Sequence, residues 1–481
     1  MLELESIVLV HGYSVQNFSA YGNFPRLLAE SEIDSAICAE NIYLSAFDSL
    51  NDEVNCTDLV RALNLRIERL EKDGLIVNKT AFITHSTGSI IVRRWILDRL
   101  QAGKALPSHF ISLAGANHGS TLAQLGETTM NQLKMYFFDR PDKTNEILKD
   151  ESIVDKLKDG VFNYNSVGMK ILSDLDYGSD FLLKLNKEWL NEYENLNQKC
   201  YVFSLIGDNY NAIADNDFES FFVPWQLKEI GSDSVVRISG SNLNYQIFTE
   251  DFSSKNTPTI KPTACKDVAN LILNDYSHIG KDGILEKAKD KSDKAFEKIV
   301  EALKICDRNG YKALVNNWNQ ENNSWFNLNE SNDKKSINST LVFNITAPGK
   351  FEISDYLITI TDSKGSAKNV AISNSILKHQ PITNKTNKST ISFYINTELF
   401  QSSAPHKINI TVLNNYSKMQ YSSVTYNLAN DEPVQLLYPN QCTYVELVLD
   451  EKSFHILKST DSKVKEYTNQ KNWQPLPEDN L

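Results

Sequence analysis

At 481 residues the chain is too long for one ordinary core, and 41% hydrophobic with 23% charged residues is the balance of a soluble protein of two or three domains. A formal net charge of −12 sets aside a nucleic-acid binder and simple electrostatic docking on anionic lipid, both of which need a Lys/Arg surplus. The six cysteines are scattered without a CxxC pair, which is neither a disulfide framework nor a zinc site.

The N-terminus, Met1–Val10, has no basic region or cleavage motif, and no apolar run approaches the roughly 20 residues that cross a bilayer. A cytoplasmic chain is the expectation, with export by a specialised secretion system left open. Ser6–His11 holds four aliphatics between polar residues and predicts a buried strand; Asn41–Phe47 predicts a second. Leu59, Leu63, Ile67 and Leu70 recur at helical spacing, with Thr57 as the expected N-cap and Gly74 as the stop. A strand at Ala81–Thr84, a helix over Ser89–Leu100 and strands at His109–Gly115 and Cys200–Gly207 follow. Such alternation builds a parallel sheet with helices on both faces.

Residues 124–197 break the rhythm and read as a helical insertion, an expected lid. Ile284–Lys304 reads as one charged amphipathic helix with a solvated face. Asn316–Lys335 is Asn-rich and poor in aliphatics, which suits a linker. Beyond it, Leu341–Thr346, Tyr356–Thr361, Thr390–Ile395, Lys407–Val412 and Tyr444–Leu449 are short β-branched runs between turn clusters, the pattern of an antiparallel sandwich. The expected organisation is an α/β domain over 1–310 with 124–197 inserted, a linker over 311–338, a β-sandwich-like domain over 339–465 and a polar tail over 466–481.

The run from Thr80 ends at Thr84-His85-Ser86-Thr87-Gly88, and a helix starts with no polar loop between. A strand entering a helix through x-x-Ser-x-Gly makes a tight turn that strains the serine backbone and lifts its Oγ at the strands' carboxyl edge. Gly88 satisfies the position two after the serine. Thr84, two before it, stands where glycine is usual and must find room for a branched side chain. A chance Ser-x-Gly corner is the competing reading. The strand Ser6–Val10 ends in His11-Gly12, so the Tyr13 and Thr87 amides are candidate oxyanion donors, with His11 and Gly12 shaping the loop. His109–Thr121 is another strand closing on small residues and a His-Gly.

Of eight histidines, His11, His85 and His118 sit inside these motifs and are expected to shape loops; strand alternation turns His85 away from the Ser86 Oγ. His109 begins a strand, and His379, His406 and His455 lie in the β-rich region. His278, on the loop Asn274–Gly283 ahead of a helix, is the candidate base. Asp208, at the end of a strand, and Asp233, in Gly231–Arg237, compete as the acid. The order Ser, Asp, His is the one a hydrolase arrangement requires. Asp208, Asp215 and Asp217 lack the glycine-punctuated loop of a calcium site, and no metal is expected.

Taken together, Val8–Tyr13, Thr84–Gly88, Leu113–Thr121, Gly231–Arg237 and Ser277–Gly280 resemble the α/β-hydrolase lipases, in particular the lecithin–cholesterol acyltransferase-like and bacterial lipase and phospholipase families. The C-terminal part contributes nothing to the resemblance. It implies an α/β-hydrolase fold with a helical lid, and an Asp-Gly-Val-Val-like segment supplying the acid favours Asp233 over Asp208. Asn117 stands where proline is common, and Ser234 where glycine is usual. The implied chemistry is cleavage of a carboxylic ester by Ser86, His278 and Asp233 through an acyl-enzyme, without a cofactor.

The resemblance and the insertion together point to a lipid ester, phospholipid ahead of triacylglycerol, with transient membrane contact. Met135–Phe138, Val161–Tyr164, Phe181–Leu183 and Phe221–Trp225 are apolar clusters suited to an acyl groove or, singly, to packing on the sheet. A small-molecule carboxylesterase and an acyltransferase are the nearest alternatives. A binding protein working through its C-terminal β-domain is the alternative of another class, and Thr84 and Ser234 are the residues it would cite.

Overall fold

A computed structural model describes residues 4–13, 21–31, 33–34, 36–45, 47, 49, 51–124, 168–210, 229–251, 258–327, 337–347, 352–361, 367–368, 382–397, 407–415, 420–428, 435–449 and 455–457. The first sheet is built from β1 (Ser6–Val10), β2 (Ile42–Ser45), β3 (Thr80–His85), β4 (His109–Leu113), β5 (Tyr201–Gly207) and β8 (Ala269–Leu273) in the order β2-β1-β3-β4-β5-β8. Every pairing is parallel. Such strands are apolar on both sides because helices cover both faces. Val8, Val10, Phe82, Phe110 and Val202 face one core, with Leu59, Leu63 and Ile67 of α2 (Cys56–Lys72) and Ile91 and Trp95 of α3 (Gly88–Gln101). Ile7, Leu9, Ile83, Ile111, Phe203 and Leu271 face the opposite core.

The local starts and stops follow side-chain chemistry. The N-cap of α2 is Asn55 rather than Thr57. Asn55 accepts from the Asp58 amide at 3.0 Å while Asp58 accepts from the Asn55 amide at 3.2 Å, a reciprocal box that satisfies two otherwise orphaned donors. Gly74, at φ +106°, closes that end of the chain segment.

Helices α4 (Met169–Leu175), α5 (Asp180–Asn191) and α6 (Tyr193–Asn197) occupy the last part of the expected insertion. They are helical as expected, but Leu182, Leu185 and Trp189 are buried in the core that holds α3, so this part is core rather than cover. The clusters at 135–138, 161–164 and 221–225 lie outside the described residues.

Two expectations for the region after β8 need correction. Residues 284–304 form not one helix but two, α8 (Ile284–Lys287) and α9 (Lys294–Leu303), because the Asp293 side chain caps a new start by accepting from the Ala295 amide at 2.8 Å. The expected linker is helix over most of its length. In α10 (Arg308–Asn327), Tyr311, Leu314, Val315 and Trp318 form a buried stripe. Asn322 covers the open edge of β8: its Oδ1 accepts from the Ile272 amide at 2.9 Å and its Nδ2 donates to the Asn270 carbonyl at 2.8 Å.

The C-terminal residues build a second sheet, and it recruits two strands from the segment ahead of β8. These are β6 (Tyr245–Asp251) and β7 (Thr259–Cys265), reached from the short helix α7 (Ile238–Ser241). The others are β9 (Asn338–Thr346), β10 (Tyr356–Thr361), β11 (Ala367–Lys368), β12 (Ile382–Thr383), β13 (Thr390–Asn396), β14 (Lys407–Asn415), β15 (Gln420–Leu428), β16 (Cys442–Val448) and β17 (His455–Leu457). Their order is β11-β10-β14-β15-β7-β6-β16-β9-β13-β12, with β17 beside β15. The sheet is mixed, not purely antiparallel, because β16 runs parallel to both β6 and β9, and β15 parallel to β7.

Leu341, Phe343, Phe393 and Leu447 from one end of the strand order share a core with Ile358, Ile360, Ile408 and Ile410 from the other, so the sheet folds over on itself as a sandwich does. Its middle strands are apolar on the outer face too: Tyr245, Ile247, Cys442 and Tyr444 belong to the core of the first sheet. The expected boundary at 311–338 therefore does not separate two cores. The polar tail over 466–481 lies outside the described residues.

Candidate functional site

Ser86 stands at the sharp corner between β3 and α3 with φ +54°, a conformation costly for any side chain bearing a Cβ. Its amide donates to the Leu113 carbonyl at 3.0 Å, and its carbonyl accepts from the Ser89 amide at 3.0 Å. The corner closes because its neighbours are small. A Cβ on Gly88 would lie 2.5 Å from the His11 carbonyl oxygen, and one on Gly12 would lie 2.7 Å from the Ser86 Cβ. The chain leaving β1 thus passes directly against the serine.

Thr84 finds its room in a buried hydroxyl ladder: its Oγ1 lies 2.8 Å from Ser89 Oγ, which takes a hydrogen bond from Ser112 Oγ at 2.9 Å. Asn117 joins this ladder, its Nδ2 donating to Ser112 Oγ at 3.3 Å and to the Ser241 carbonyl at 2.9 Å. Gly115 leaves the space, since a Cβ there would meet Ser112 Oγ at 2.1 Å.

The loop after β8 brings His278 to the serine. Its Nε2 lies 2.8 Å from Ser86 Oγ and its Nδ1 lies 2.8 Å from Asp233 Oδ2. Asp233 Oδ1 accepts from the Val235 and Val236 amides at 3.0 and 2.7 Å, and the Asp233 carbonyl accepts the His278 amide at 2.8 Å. All three side chains are buried, at 7%, 4% and 1% exposure for Ser86, His278 and Asp233, so water competes little for these bonds. With the carboxylate accepting at Nδ1–H, Nε2 presents its lone pair to the serine hydroxyl.

Asp208 instead accepts the Asp275 amide at 2.7 Å. Asp215 and Asp217 lie outside the described residues. Ser234, in the place where glycine is usual, has φ +83° and donates from Oγ to the Asn209 carbonyl at 3.0 Å. Gly207 at the end of β5 seats this loop, because a Cβ there would lie 2.3 Å from the Tyr276 carbonyl oxygen and 3.1 Å from Asp233 Cβ. Sequence reasoning passed over that glycine, although its position at a strand's carboxyl end was visible.

The Thr87 amide opens α3 and has no acceptor among the described residues, and Tyr13 follows the glycine packed on Ser86. The other motif histidines hold loops. His11 is neutral: Nδ1 donates to the Gly12 carbonyl at 2.6 Å and Nε2 accepts from the Phe47 amide at 3.0 Å, while burial lowers its pKa. His85 stands against the base: its ring centroid lies 4.9 Å from that of His278, and its Nε2 donates to the His278 carbonyl at 3.2 Å. Burial, and then the neighbouring His278, pull its pKa down to about 3. His118 sits between the sheets, Nε2 donating to the Asn242 carbonyl at 2.8 Å and Nδ1 accepting from Tyr444 of β16 at 3.0 Å. Among the described residues no group of three His, Cys, Asp or Glu side chains is placed to hold a metal, and no helix is long and apolar enough to cross a membrane.

No protein-family model and no curated protein matches the chain. Two solved structures of the phospholipase PlaB from Legionella pneumophila, one in complex with thio-NAD, match with a TM-score of 0.73 at 23% identity, over 95% of this chain and 97% of theirs. The lipase BlEst2 of Bacillus licheniformis matches at 0.33 and 14% identity, over 57% of this chain and 85% of its own, too distant to carry an argument. The likeness to PlaB runs through both sheets, so it extends well past the motifs that first suggested it. The chain has the α/β-hydrolase fold, with a C-terminal β-domain joined to it through shared strands.

Proposed function

We propose that the protein is a serine hydrolase that cleaves carboxylic esters of lipids, with Ser86 as nucleophile, His278 as general base and acid, and Asp233 as the carboxylate that orients it. The unbroken line of hydrogen bonds from Ser86 Oγ through the imidazole to Asp233, at a serine held at φ +54°, is the observation that carries this reading. As Oγ attacks the ester carbonyl carbon, its proton passes to His278 Nε2, and Asp233 stabilises the imidazolium. The oxyanion accepts from the Thr87 and Tyr13 amides. Collapse expels the alcohol, which takes the proton from Nε2. Water then attacks the acyl-Ser86 ester, giving its proton to His278; the second tetrahedral adduct breaks its bond to Ser86 Oγ, which takes the proton back from Nε2, and the carboxylic acid leaves.

A lipid ester is supported by the fold match to a phospholipase over nearly the whole chain. Thr84 and Ser234, which a non-catalytic reading would cite, are both accommodated with their hydroxyls hydrogen-bonded.

The test compares wild type with Ser86→Ala on a mixed phospholipid extract, identifying products by mass, alongside labelling with a fluorophosphonate probe. Wild type should release fatty acid and carry the label on Ser86, and the alanine variant should do neither. Folded wild type that takes no label ends the serine-hydrolase reading. Preference for acetyl or butyryl esters over long acyl chains ends the lipid part of it.

A further inference from the structure

We infer that Arg237 and Tyr394 are positioning residues for Asp233, so that the C-terminal sheet sets the acid of a site to which it lends no reacting group. The inference rests on the hydrolase reading above. Asp233 lies on the segment from Glu229 to Arg237, which crosses no sheet strand that would hold it. Two left-handed residues, Gly231 at φ +85° and Ser234 at φ +83°, shape it. Its ends are tied together instead. Arg237, fully buried, donates from Nε to Glu229 Oε2 at 2.8 Å and from Nη2 to Glu229 Oε1 at 3.2 Å. The Ile238 amide closes on the Gly231 carbonyl at 2.8 Å, and the Asp233 amide on the Val236 carbonyl at 3.0 Å.

A two-pronged guanidinium–carboxylate pair fixes direction as well as distance. Its burial is costly unless the charge is well surrounded. Here two ring faces do that: Tyr177, between α4 and α5, at 4.7 Å from the guanidinium carbon, and Tyr394, on β13, at 4.3 Å. The Tyr394 hydroxyl also reaches the acid segment directly, at 3.0 Å from the Ile230 carbonyl and 3.2 Å from the Gly231 carbonyl. The acid is thus clamped between helices of the first half and a strand synthesised more than a hundred residues later.

The consequence is chemical. A carboxylate displaced from Nδ1 stabilises the imidazolium less, so the base loses affinity for the proton it must take from Ser86. The test uses the full-length protein with Arg237→Gln, Arg237→Lys and Tyr394→Phe, each normalised to reactive serine by fluorophosphonate titration. Arg237→Gln should lower kcat per titrated serine by about 10²-fold with KM little changed, the scale of a misplaced reacting group. The rising limb of its kcat/KM profile should move to lower pH. Arg237→Lys should recover part of that loss, and Tyr394→Phe, which keeps the ring and removes the hydroxyl, should show a smaller loss in the same direction.

If the variants lose only folded protein while kcat per titrated serine and the limb's midpoint stay at wild-type values, the clamp is merely structural and the inference is overturned. Wild type that neither hydrolyses esters nor takes the label overturns the hydrolase reading itself, and this inference with it.

Discussion

At the scale of single residues the site is made by what is missing. Gly12 lets the chain leaving β1 press on Ser86, Gly88 lets the start of α3 press on the end of β1, and no side chain fits in either gap. Gly88→Ala would put a Cβ 2.5 Å from a backbone oxygen that cannot swing aside, so the loop carrying Tyr13 must shift. We expect a cost of about 2 kcal/mol in urea unfolding, typical of overpacking, and a loss of ester turnover of at least about 10²-fold, as when one oxyanion donor goes. Stability loss with turnover unchanged would show that the close approach does not matter to the site.

Ser86 and the oxyanion candidates were legible at this scale because their motifs are short apolar runs stopped by small residues. The reason Thr84 is tolerated was not. Its partners Ser89, Ser112 and Asn117 lie on an adjoining helix, strand and loop, and a hydroxyl ladder of that kind leaves no periodicity in the chain. Choosing between Asp233 and Asp208 likewise needed the path of a loop, which only the resemblance supplied.

Among elements, several with a local signature were read from it, α10 and the break at Asp293 were not, and the pairings set by distant partners were not. Five of the six strands of the first sheet were read from short apolar runs, and β8 was not. The stripe Tyr311, Leu314, Val315 and Trp318 follows the spacing i, i+3, i+4, i+7, so α10 was readable; the density of asparagine hid it. By contrast, nothing local in Tyr245–Asp251 announces that Cys442–Val448 will pair with it across nearly the whole second half of the chain.

That pairing has a measurable consequence. A chain ending at residue 337 strips β6 of β16 and β7 of β15, and uncovers Phe248 and Ile260, which are fully buried in the intact protein. The edge of β6 from Tyr245 to Thr249 then stands open for pairing with other molecules. This fragment should be recovered as aggregate, as sedimentation and light scattering would show; a monomeric, esterase-active fragment would refute the shared-sheet account.

The molecule as a whole keeps several imidazoles neutral at a cost that appears only in acid. Burial, with Arg93 nearby, pulls His118 down to about 3, and burial pulls His109 down to about 4, alongside His85 at about 3 and His11 lowered. Above the ordinary value of 6.5 these groups are neutral in both the folded and unfolded chain, and pH has no leverage through them. Below it the unfolded chain takes up protons that the folded one refuses, so stability falls as pH falls, down to the folded-state values. Each fully differing proton is worth about 1.4 kcal/mol per pH unit. The urea midpoint should drop steeply between about pH 6.5 and 5, above the range where carboxylates titrate, and His118→Gln should make the slope shallower. A midpoint that stays level over that interval would contradict the burial of these rings.

The place of β16 between β6 and β9 also sets an order of events. Chains emerge from the ribosome N-terminus first, so Ser86, Asp233 and His278 are all exposed to folding long before Cys442 arrives to fill the slot. Until it does, β6 and β9 have no strand between them, and a nascent chain of that length lacks the part of the shared core that Cys442 and Tyr444 supply.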